Sequence, residues 1–139
     1  MDVVTAFLVG ELEEEIYIEQ PEGFKVGNEG EDFVCQIWKN LYGLKQTPYI
    51  WNRWIQQFLR SIGFKPTYSD LWVYVHSRKG VIIAMWVDNL MSFGKNITDI
   101  EDIKVQLKEE YEIKGLGELK YFLGVQVHRD REWKLIHIN

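Results

Sequence analysis

A long apolar run that ends in an aspartate is the feature that most constrains how this chain can fold. Residues 81–87 are apolar throughout, rich in β-branched and aromatic side chains, and preceded by Gly80. Such a run predicts a strand that is packed on both faces. Asp88 and Asn89 then separate it from a second, mostly apolar stretch at 90–93. This pattern predicts a β-hairpin with the polar pair at its tip.

The polar pair at the tip has two interpretations. A carboxylate beside so much hydrocarbon is costly unless a cation or hydrogen bonds compensate it, so Asp88 is a candidate metal ligand. Asp and Asn are also common turn formers. From these residues alone, an ordinary turn is the favoured interpretation.

The bulk properties predict a single folded domain. Of the 139 residues, 46% are hydrophobic and 14% are aromatic, which is enough to bury a core and excludes a disordered chain. No stretch approaches the length of a membrane helix, and the N-terminus lacks a signal-peptide core. We therefore expect an intracellular protein with no membrane partner. Cys35 is the single cysteine, which excludes a disulfide framework, and His76, His128 and His137 lack ligand spacing and are predicted to be structural or surface residues.

Charge is distributed unevenly along the sequence. Residues 1–24 contain seven acidic and no basic residues, whereas residues 36–79 contain seven basic residues and one acidic residue, Asp70. The net charge of −5 argues against nucleic-acid binding, but the basic middle of the chain permits a surface for a polyanion. A solvated basic helix face would give the same pattern.

Hydrophobic periodicity predicts an α+β fold. Alternating or short apolar runs predict strands at 3–9, 15–19, 33–38, 71–76, 81–87, 90–93, 121–128 and 133–138. One helix is predicted to begin with Thr47 as N-cap and Pro48 as its first residue, and to end at Gly63. A second helix is predicted to begin with a capping box at Thr98. This order predicts an antiparallel sheet with two helices packed on one face.

Each predicted helix has an apolar stripe. The stripe of the first helix is wide and comprises Ile50, Trp51, Trp54, Ile55, Phe58, Leu59 and Ile62. Its tryptophans are predicted to be core residues and not a platform for base stacking. The stripe of the second helix is narrower and comprises Ile100, Ile103, Leu107 and Tyr111.

Asp2 is a second candidate metal ligand, because it directly precedes an apolar run. If that run lies beside the strand at 81–87, two carboxylates would face one another at one edge of the sheet. A pair of carboxylates suits two Mg²⁺ ions, which catalyse phosphoryl and nucleotidyl transfer when they lie about 3.5–4 Å apart. The sequence alone does not show that the two strands are neighbours.

Four longer stretches carry specific motifs. They are residues 2–17 (DVVTAFLVGELEEEIY), 20–24 (QPEGF), 41–48 (LYGLKQTP, with Trp51 after it) and 116–124 (LGELKYFLG). These stretches resemble the reverse transcriptase of Ty1/copia-type retrotransposons, in which Tyr-Val-Asp-Asp stands where this chain has residues 86–89 (WVDN). The likeness runs in register over nearly the whole chain. It implies a polymerase palm with a ferredoxin-like core.

The resemblance also implies a role for each matched residue. Asp2 and Asp88 match the catalytic aspartates that bind Mg²⁺ or Mn²⁺. The residues that match nucleotide-binding positions are Thr5, Ala6, Phe7, Tyr42, Gly43 and Lys45. Among them, Phe7 matches the steric gate that excludes a ribose 2′-hydroxyl, and residues 121–127 resemble the hairpin that grips the primer end. The implied partners are an RNA or DNA template-primer and deoxynucleoside triphosphates.

The chain departs from the family pattern at several positions. Asn89 stands at the position of the third catalytic carboxylate, so one negative charge is missing and we expect a severe loss of activity. Val4 and Trp86 replace a common Lys and Tyr. Met1 matches a methionine inside the family's domain, so we expect residues 1–139 to be a partial reverse transcriptase domain: palm with part of the fingers, without the upstream fingers, thumb or RNase H.

The sequence therefore supports one main hypothesis and several alternatives. The main hypothesis is a fragment of an RNA-directed DNA polymerase, inactive alone and located in the cytoplasm or a virus-like particle, with nuclear steps. One alternative is a non-catalytic nucleic-acid-binding or assembly module, and another is an unstable pseudogene product. A generic RNA-recognition sheet is disfavoured, because no strand carries paired aromatic residues for base stacking.

Overall fold

The computed structural model describes the backbone of residues 1–4, 6, 8, 11–27 and 33–139. Along the chain the elements are β1 (Asp2–Val3), β2 (Glu11–Glu19), β3 (Val34–Lys39), α1 (Thr47–Ser61), β4 (Phe64–Pro66), β5 (Val73–His76), β6 (Ile82–Trp86), β7 (Asn89–Phe93), α2 (Ile97–Glu110), β8 (Ile113–Lys114), β9 (Tyr121–Phe122), β10 (Val125–Asp130) and β11 (Leu135–Ile138). They form two compact units, the first comprising residues 1–4 and 65–139 and the second residues 5–64. The predicted α+β class, with two helices and antiparallel sheets, is confirmed.

The first unit is built around a six-stranded sheet. Its strand order is β4-β5-β6-β7-β1-β8, and the pairings from β5 to β8 are antiparallel. Ile83 and Met85 on β6 are buried, whereas Ile82 and Trp86 are 37% and 54% exposed. This alternation arises because successive residues of a strand point to opposite faces. The prediction that residues 81–87 are packed on both faces is therefore wrong for this strand.

Helix α2 covers the buried face of this sheet. Ile100, Ile103 and Leu107 are buried along one side of the helix. A Cβ atom added to Gly94 would lie 3.1 Å from Cγ1 of Ile100 and 3.4 Å from Cγ2 of Val81, so the start of α2 packs directly over the strands. The predicted stripe of α2 is confirmed, including Tyr111 at its end.

A second, three-stranded antiparallel sheet completes the first unit, in the order β11-β10-β9. The strand predicted at 121–128 is interrupted, because Leu123 and Gly124 form a turn with positive φ angles of 51° and 81°. The strands predicted at 121–128 and 133–138 pair as the β10–β11 hairpin, but the turn comprises residues 131–134, so Arg129 and Asp130 belong to β10 and Trp133 to the turn.

The second unit contains the β2–β3 hairpin and helix α1. Ile50, Trp51, Ile55 and Leu59 of α1 are buried, but Trp54 is 46% exposed. The prediction that both tryptophans are core residues is thus confirmed for Trp51 and wrong for Trp54. The apolar pattern was wider than the surface that the helix buries.

Two predictions of helix starts are wrong. The N-cap of α1 is Gln46 and that of α2 is Asn96, so Thr47 and Thr98 both lie inside their helices. Thr47 does not cap α1, because its hydroxyl donates to the Leu41 carbonyl oxygen at 2.9 Å. The predicted end of α1 is confirmed: Gly63 has φ +98° and donates its N–H to the Arg60 carbonyl oxygen at 3.1 Å.

The first predicted strand is shorter in the structure than expected. Of residues 3–9, Val3 is in β1, whereas Val4, Ala6 and Leu8 lie in turns. A short apolar run does not by itself separate a strand from a buried turn-rich segment.

Candidate metal and nucleotide site

The hairpin of β6 and β7 turns at Val87 and Asp88. Trp86 pairs with Asn89 at its closed end, so Asn89 is the first residue of β7 and the predicted tip is shifted by one residue. Val87 has φ +56° whereas Asp88 does not have a positive φ. A positive φ at the first central position of a two-residue hairpin turn is normally supplied by residues such as Gly or Asn. A β-branched residue there stores backbone strain.

The structure brings Asp2 directly beside this turn. Strand β1 lies between β7 and β8, and the Cα partner of Asp2 on β7 is Asn89. The Val3 N–H donates to the Asp88 carbonyl oxygen at 3.0 Å, and the Leu90 N–H donates to the Met1 carbonyl oxygen at 2.9 Å. The sequence left open whether the strand after Asp2 lies beside the strand at 81–87, and its neighbours are instead β7 and β8. The pairing thus brings Asp2 beside Asp88 and Asn89, and their catalytic and metal-binding roles stay predictions.

Asp2 and Asn89 project from the sheet face opposite α2. Residues directly opposite in a ladder share a face, and Asn89 is the partner of Trp86, which is on the exposed face. The other cross-strand partner of Asp2 is Lys114 on β8, which is also exposed. Val3 points the other way and is buried. The strand β1 therefore holds one carboxylate towards solvent with a cationic residue beside it.

The charges around the turn are partly compensated within the protein. The Asn89 side-chain amide donates to Oδ1 of Asp88 at 2.9 Å. Burial lowers the pKa of the Met1 α-amino group, which donates to the Leu90 carbonyl oxygen at 2.9 Å, while the Asp2 carboxylate opposes that shift. Within the described part of the chain, no group of three or more His, Cys, Asp or Glu side chains is arranged to hold a metal ion. The two aspartates are the acidic donors that this turn offers.

The loop before α1 carries the second set of predicted site residues. Its base is closed by Thr47, whose hydroxyl donates to the Leu41 carbonyl oxygen and lies 3.5 Å from Oδ1 of the buried Asn40. Tyr42, Gly43 and Lys45 are exposed on this loop. Gly43 has φ +97° and open space around its Cα. Glycine is therefore required there by backbone conformation.

Two predicted nucleotide-binding residues, Thr5 and Phe7, lie outside the described residues. Ala6 between them is buried, with 1% of its surface exposed. These three residues and the loop at 41–46 belong to the second unit, whereas Asp2, Asp88 and Asn89 belong to the first.

Comparison with known proteins gives the family. The profile described as reverse transcriptase (RNA-dependent DNA polymerase) matches residues 1–138. The chain belongs to this reverse transcriptase family.

The relatives are polyproteins of transposons. The chain is 40% identical over 134 residues to the retrovirus-related Pol polyprotein from transposon TNT 1-94 of Nicotiana tabacum. The match covers 94% of this chain and 10% of that protein. It is 35% identical to the Pol polyprotein from transposon RE1 of Arabidopsis thaliana, over 93% of this chain and 9% of the relative. It is 30% identical to the Ty1-DR4 Gag-Pol polyprotein of Saccharomyces cerevisiae, over 94% of this chain and 8% of the relative. The resemblance to Ty1/copia-type retrotransposons is confirmed, and this reverse transcriptase chain spans about a tenth of the length of these relatives. No solved structure matches it significantly.

The loop at 41–46 contains one buried polar group that sequence reasoning did not single out. Gln46 follows Lys45, and its side-chain Nε2 is buried without a hydrogen-bond partner among the described residues. An unpaired buried amide is costly, and this nitrogen is not accessible to a ligand while it stays buried. The sequence offered no signal for it beyond its place in the 41–48 motif.

None of the described helices is both long and apolar enough to cross a membrane.

Proposed function

We propose that this chain carries the palm, with part of the fingers, of a copia-type reverse transcriptase, and that Asp2 and Asp88 are its metal-binding carboxylates. The observation that carries the proposal is the pairing of β1 with β7. It sets Asp2 opposite Asn89 and ties Val3 to the backbone of Asp88. The carboxylates of Asp2, on an open sheet face, and of Asp88, in the adjoining turn, suit the hard, oxygen-preferring ions Mg²⁺ and Mn²⁺.

In this proposal the aspartates supply charge and position. Asp2 lies in a strand held on both sides, by β7 and β8, so its backbone is fixed before any ligand binds. Asp88 lies in a two-residue turn whose closing pair, Trp86 and Asn89, belongs to the ladder. Divalent ions held by Asp2 and Asp88 would activate the attacking primer hydroxyl and neutralise charge on the phosphates. The class of reaction is transfer of a deoxynucleotide to a primer end.

Asn89 weakens this site in two ways. It is neutral where the family resemblance places a third carboxylate, so the turn holds one negative charge fewer. Its amide also donates to Oδ1 of Asp88, and a metal ion must displace that bond to use the same oxygen. Both effects lower the affinity for a dication, and we expect little polymerase activity from the chain with Asn89.

The loop at 41–46 is proposed to bind the incoming nucleotide. Its exposed Lys45 offers a positive charge for phosphate. Tyr42 and Gly43 lie at its tip, and Thr47 anchors its base. Thr5, Ala6 and Phe7 are proposed to contact the triphosphate and sugar, by family resemblance.

The proposed partners follow from the family. They are an RNA or DNA template-primer, deoxynucleoside triphosphates and other segments of a Pol polyprotein. The proposed location is the cytoplasm or a virus-like particle, with nuclear steps.

A non-catalytic nucleic-acid-binding module is a second candidate function. The hydrogen bond from Asn89 to Asp88 favours it, because it satisfies the carboxylate without a metal. Helix α1 supplies a surface, since it contains no acidic residue and exposes Arg53, stacked 5.9 Å from the Tyr49 ring centroid. Binding that weakens with salt, without primer extension by either Asn89 or Asn89→Asp, would support this candidate.

Primer extension in a complete polymerase tests the main proposal. Residues 1–138 replace the matching residues of the TNT 1-94 Pol polyprotein, with Asn89 or with Asn89→Asp. We expect Asn89→Asp to extend the primer at least about 10²-fold faster, since electrostatic groups of this kind contribute that much to catalysis. Asp2→Asn should abolish extension in both, whereas Asp70→Asn, in an exposed turn, should not. Equal rates for both residues at 89, or full activity with Asp2→Asn, would contradict the proposal.

A further inference from the structure

The two histidines of the three-stranded sheet lie directly opposite each other. His128 on β10 and His137 on β11 are Cα partners in the antiparallel ladder. Gln126 and Asn139, at the end of the same ladder, exchange both backbone hydrogen bonds, at 2.9 and 3.0 Å. Hydrogen-bonded pairs recur at every second residue, so the histidines also form such a pair, with Cα atoms about 5.5 Å apart. The prediction that these two histidines are surface residues is confirmed, and the strand register brings them together.

Both imidazoles project from the same face of the sheet. Directly opposed residues of a ladder share a face, with Cβ atoms about 4.5–5.5 Å apart. Both histidines are exposed and line one concave surface with Glu118, Asp130 and Leu135. The sheet's other face carries the apolar residues Val127, Ile136 and Ile138, which alternate with them along the strands.

We propose that His128 and His137 form a two-ligand site for a borderline transition-metal ion such as Zn²⁺, Ni²⁺ or Cu²⁺. Imidazole nitrogens suit these ions, whereas Mg²⁺ prefers oxygen ligands. Two imidazoles on one sheet face, on neighbouring strands, chelate one ion and leave its other positions to water. The site is separate from the Asp2–Asp88 turn, which lies on the six-stranded sheet.

The carboxylates of Glu118 and Asp130 near the two histidines already have partners within the protein, so the proposed ligands are the two imidazoles alone. The Glu118 carboxylate is paired with Arg131 at 2.9 Å, and Oδ1 of Asp130 accepts the Trp133 N–H at 2.9 Å. Both carboxylates are thus engaged within the protein, in agreement with the absence of a three-ligand cluster among the described residues.

The third histidine differs in its environment. His76 is buried, and its Nδ1 accepts N–H groups from Arg78 and Lys79, at 3.2 Å each. That nitrogen is engaged within the protein, unlike an exposed imidazole pair on a sheet face.

An ion at this pair would tie β10 to β11. Every residue of β11 is exposed, so this edge strand has little buried side-chain surface of its own. A ligand that binds the folded state and not the unfolded state stabilises the folded state by mass action. Metal binding should therefore raise the unfolding temperature of the protein.

Zinc titration of the tag-free protein tests the proposal. Isothermal titration calorimetry with Zn²⁺ is carried out on the Asp2→Asn variant, which removes the other candidate site. The buffer contains about 1 mM Mg²⁺, which is about 10² times the protein concentration, so that Mg²⁺ can compete with Zn²⁺ for the site. We expect one Zn²⁺ bound per chain, with His128→Gln and His137→Gln each weakening binding at least about tenfold. Arg60→Gln, at an exposed position of α1 that does not line this surface, is the control and should leave binding unchanged.

Two readouts separate this site from incidental binding. The imidazole Hε1 resonances of His128 and His137 should shift together on addition of Zn²⁺, while that of His76 stays in place. The unfolding temperature should rise with Zn²⁺ in the parent and not in either histidine variant. No Zn²⁺ binding, binding that survives both histidine substitutions, or equal competition by Mg²⁺ would overturn the proposal.

Discussion

The Asn89 side-chain amide donates a hydrogen bond to the Asp88 carboxylate, with 2.9 Å between Nδ2 and Oδ1. Asp2 lies opposite Asn89 on the neighbouring strand. The turn therefore combines two carboxylates with a neutral residue that already satisfies one of them. We expect an amide at this position to stabilise the metal-free turn and to weaken the proposed binding of a dication.

Lys114 is expected to oppose metal binding at the same turn. It is the direct cross-strand partner of Asp2 on β8, and opposed residues on one face interact by about 0.2–1 kcal/mol. Lys114→Gln should therefore tighten Mn²⁺ binding about two- to fivefold, as measured by electron paramagnetic resonance of free Mn²⁺. Lys95→Gln, an exposed lysine in the loop before α2, is the control and should have no effect. Unchanged Mn²⁺ affinity in Lys114→Gln would show that the charge of Lys114 does not affect metal binding at this turn.

Val87 is expected to be strained in the hairpin turn. Its φ of +56° is disfavoured for residues with a Cβ atom, by about 1–2 kcal/mol. Val87→Gly should therefore be more stable than Val87→Ala by about 1 kcal/mol, even though glycine gains more entropy on unfolding. Urea unfolding of the two variants measures this difference. If Val87→Ala were the more stable variant, the turn would not be strained.

Thr47 is expected to stabilise the loop before α1 through its hydroxyl. Thr47→Val keeps the shape of the side chain but leaves the Leu41 carbonyl without this donor, at a cost of about 1–3 kcal/mol. Thr98→Val, at an exposed position inside α2, should change the free energy of unfolding by less than about 0.5 kcal/mol. Thermal or urea unfolding distinguishes the two. A large loss of stability in Thr98→Val would instead indicate that Thr98 caps α2.

Tyr111 should make the protein sensitive to alkaline pH. Burial, aided by the charge of Glu110, raises the pKa of the Tyr111 phenol above its usual range. The folded state therefore keeps a proton that the unfolded state loses above about pH 10. Stability from this residue is fully present below that pH and is lost as the pH rises further.

The measurement is the urea midpoint between pH 9 and 11, the range that brackets the ordinary pKa of tyrosine of about 10. The midpoint should fall more steeply in the parent protein than in Tyr111→Phe. Tyr68→Phe, at a fully exposed position, should behave like the parent. Identical slopes for the parent and Tyr111→Phe would contradict a buried, proton-retaining phenol.

Local patterns predicted that the two helices and the β6–β7 hairpin exist, but not where each helix begins or which residues form the hairpin tip. The stripe of Ile100, Ile103 and Leu107 and the end of α1 at Gly63 follow from chemistry within one or two turns of the chain. The exposure of Trp54 could not be predicted from the apolar stripe, because a periodic pattern does not show how much of the helix surface the rest of the chain covers.

Features that depend on strand register could not be predicted from the sequence alone. The alignment of His128 with His137 depends on the length of the 131–134 turn, and a shift of one residue would have placed them on opposite faces. The same applies to Asp2 and Asn89, whose pairing joins residues at distant positions in the chain. Family resemblance suggested that Asp2 and Asp88 meet, and the paired strands bring them together.

The most direct test of the metal site is Mn²⁺ binding in a double-mutant cycle between Asp2 and Asn89. Asn89→Asp adds a carboxylate at the turn and should tighten Mn²⁺ binding at least about tenfold, or about 1.4 kcal/mol. Asp2→Asn should weaken binding, and Asn89→Asp in that background should recover less than half of its gain, because neighbouring ligands are coupled. Equal affinity of the parent and Asn89→Asp, or an undiminished gain without the Asp2 carboxylate, would contradict a shared metal site at this turn.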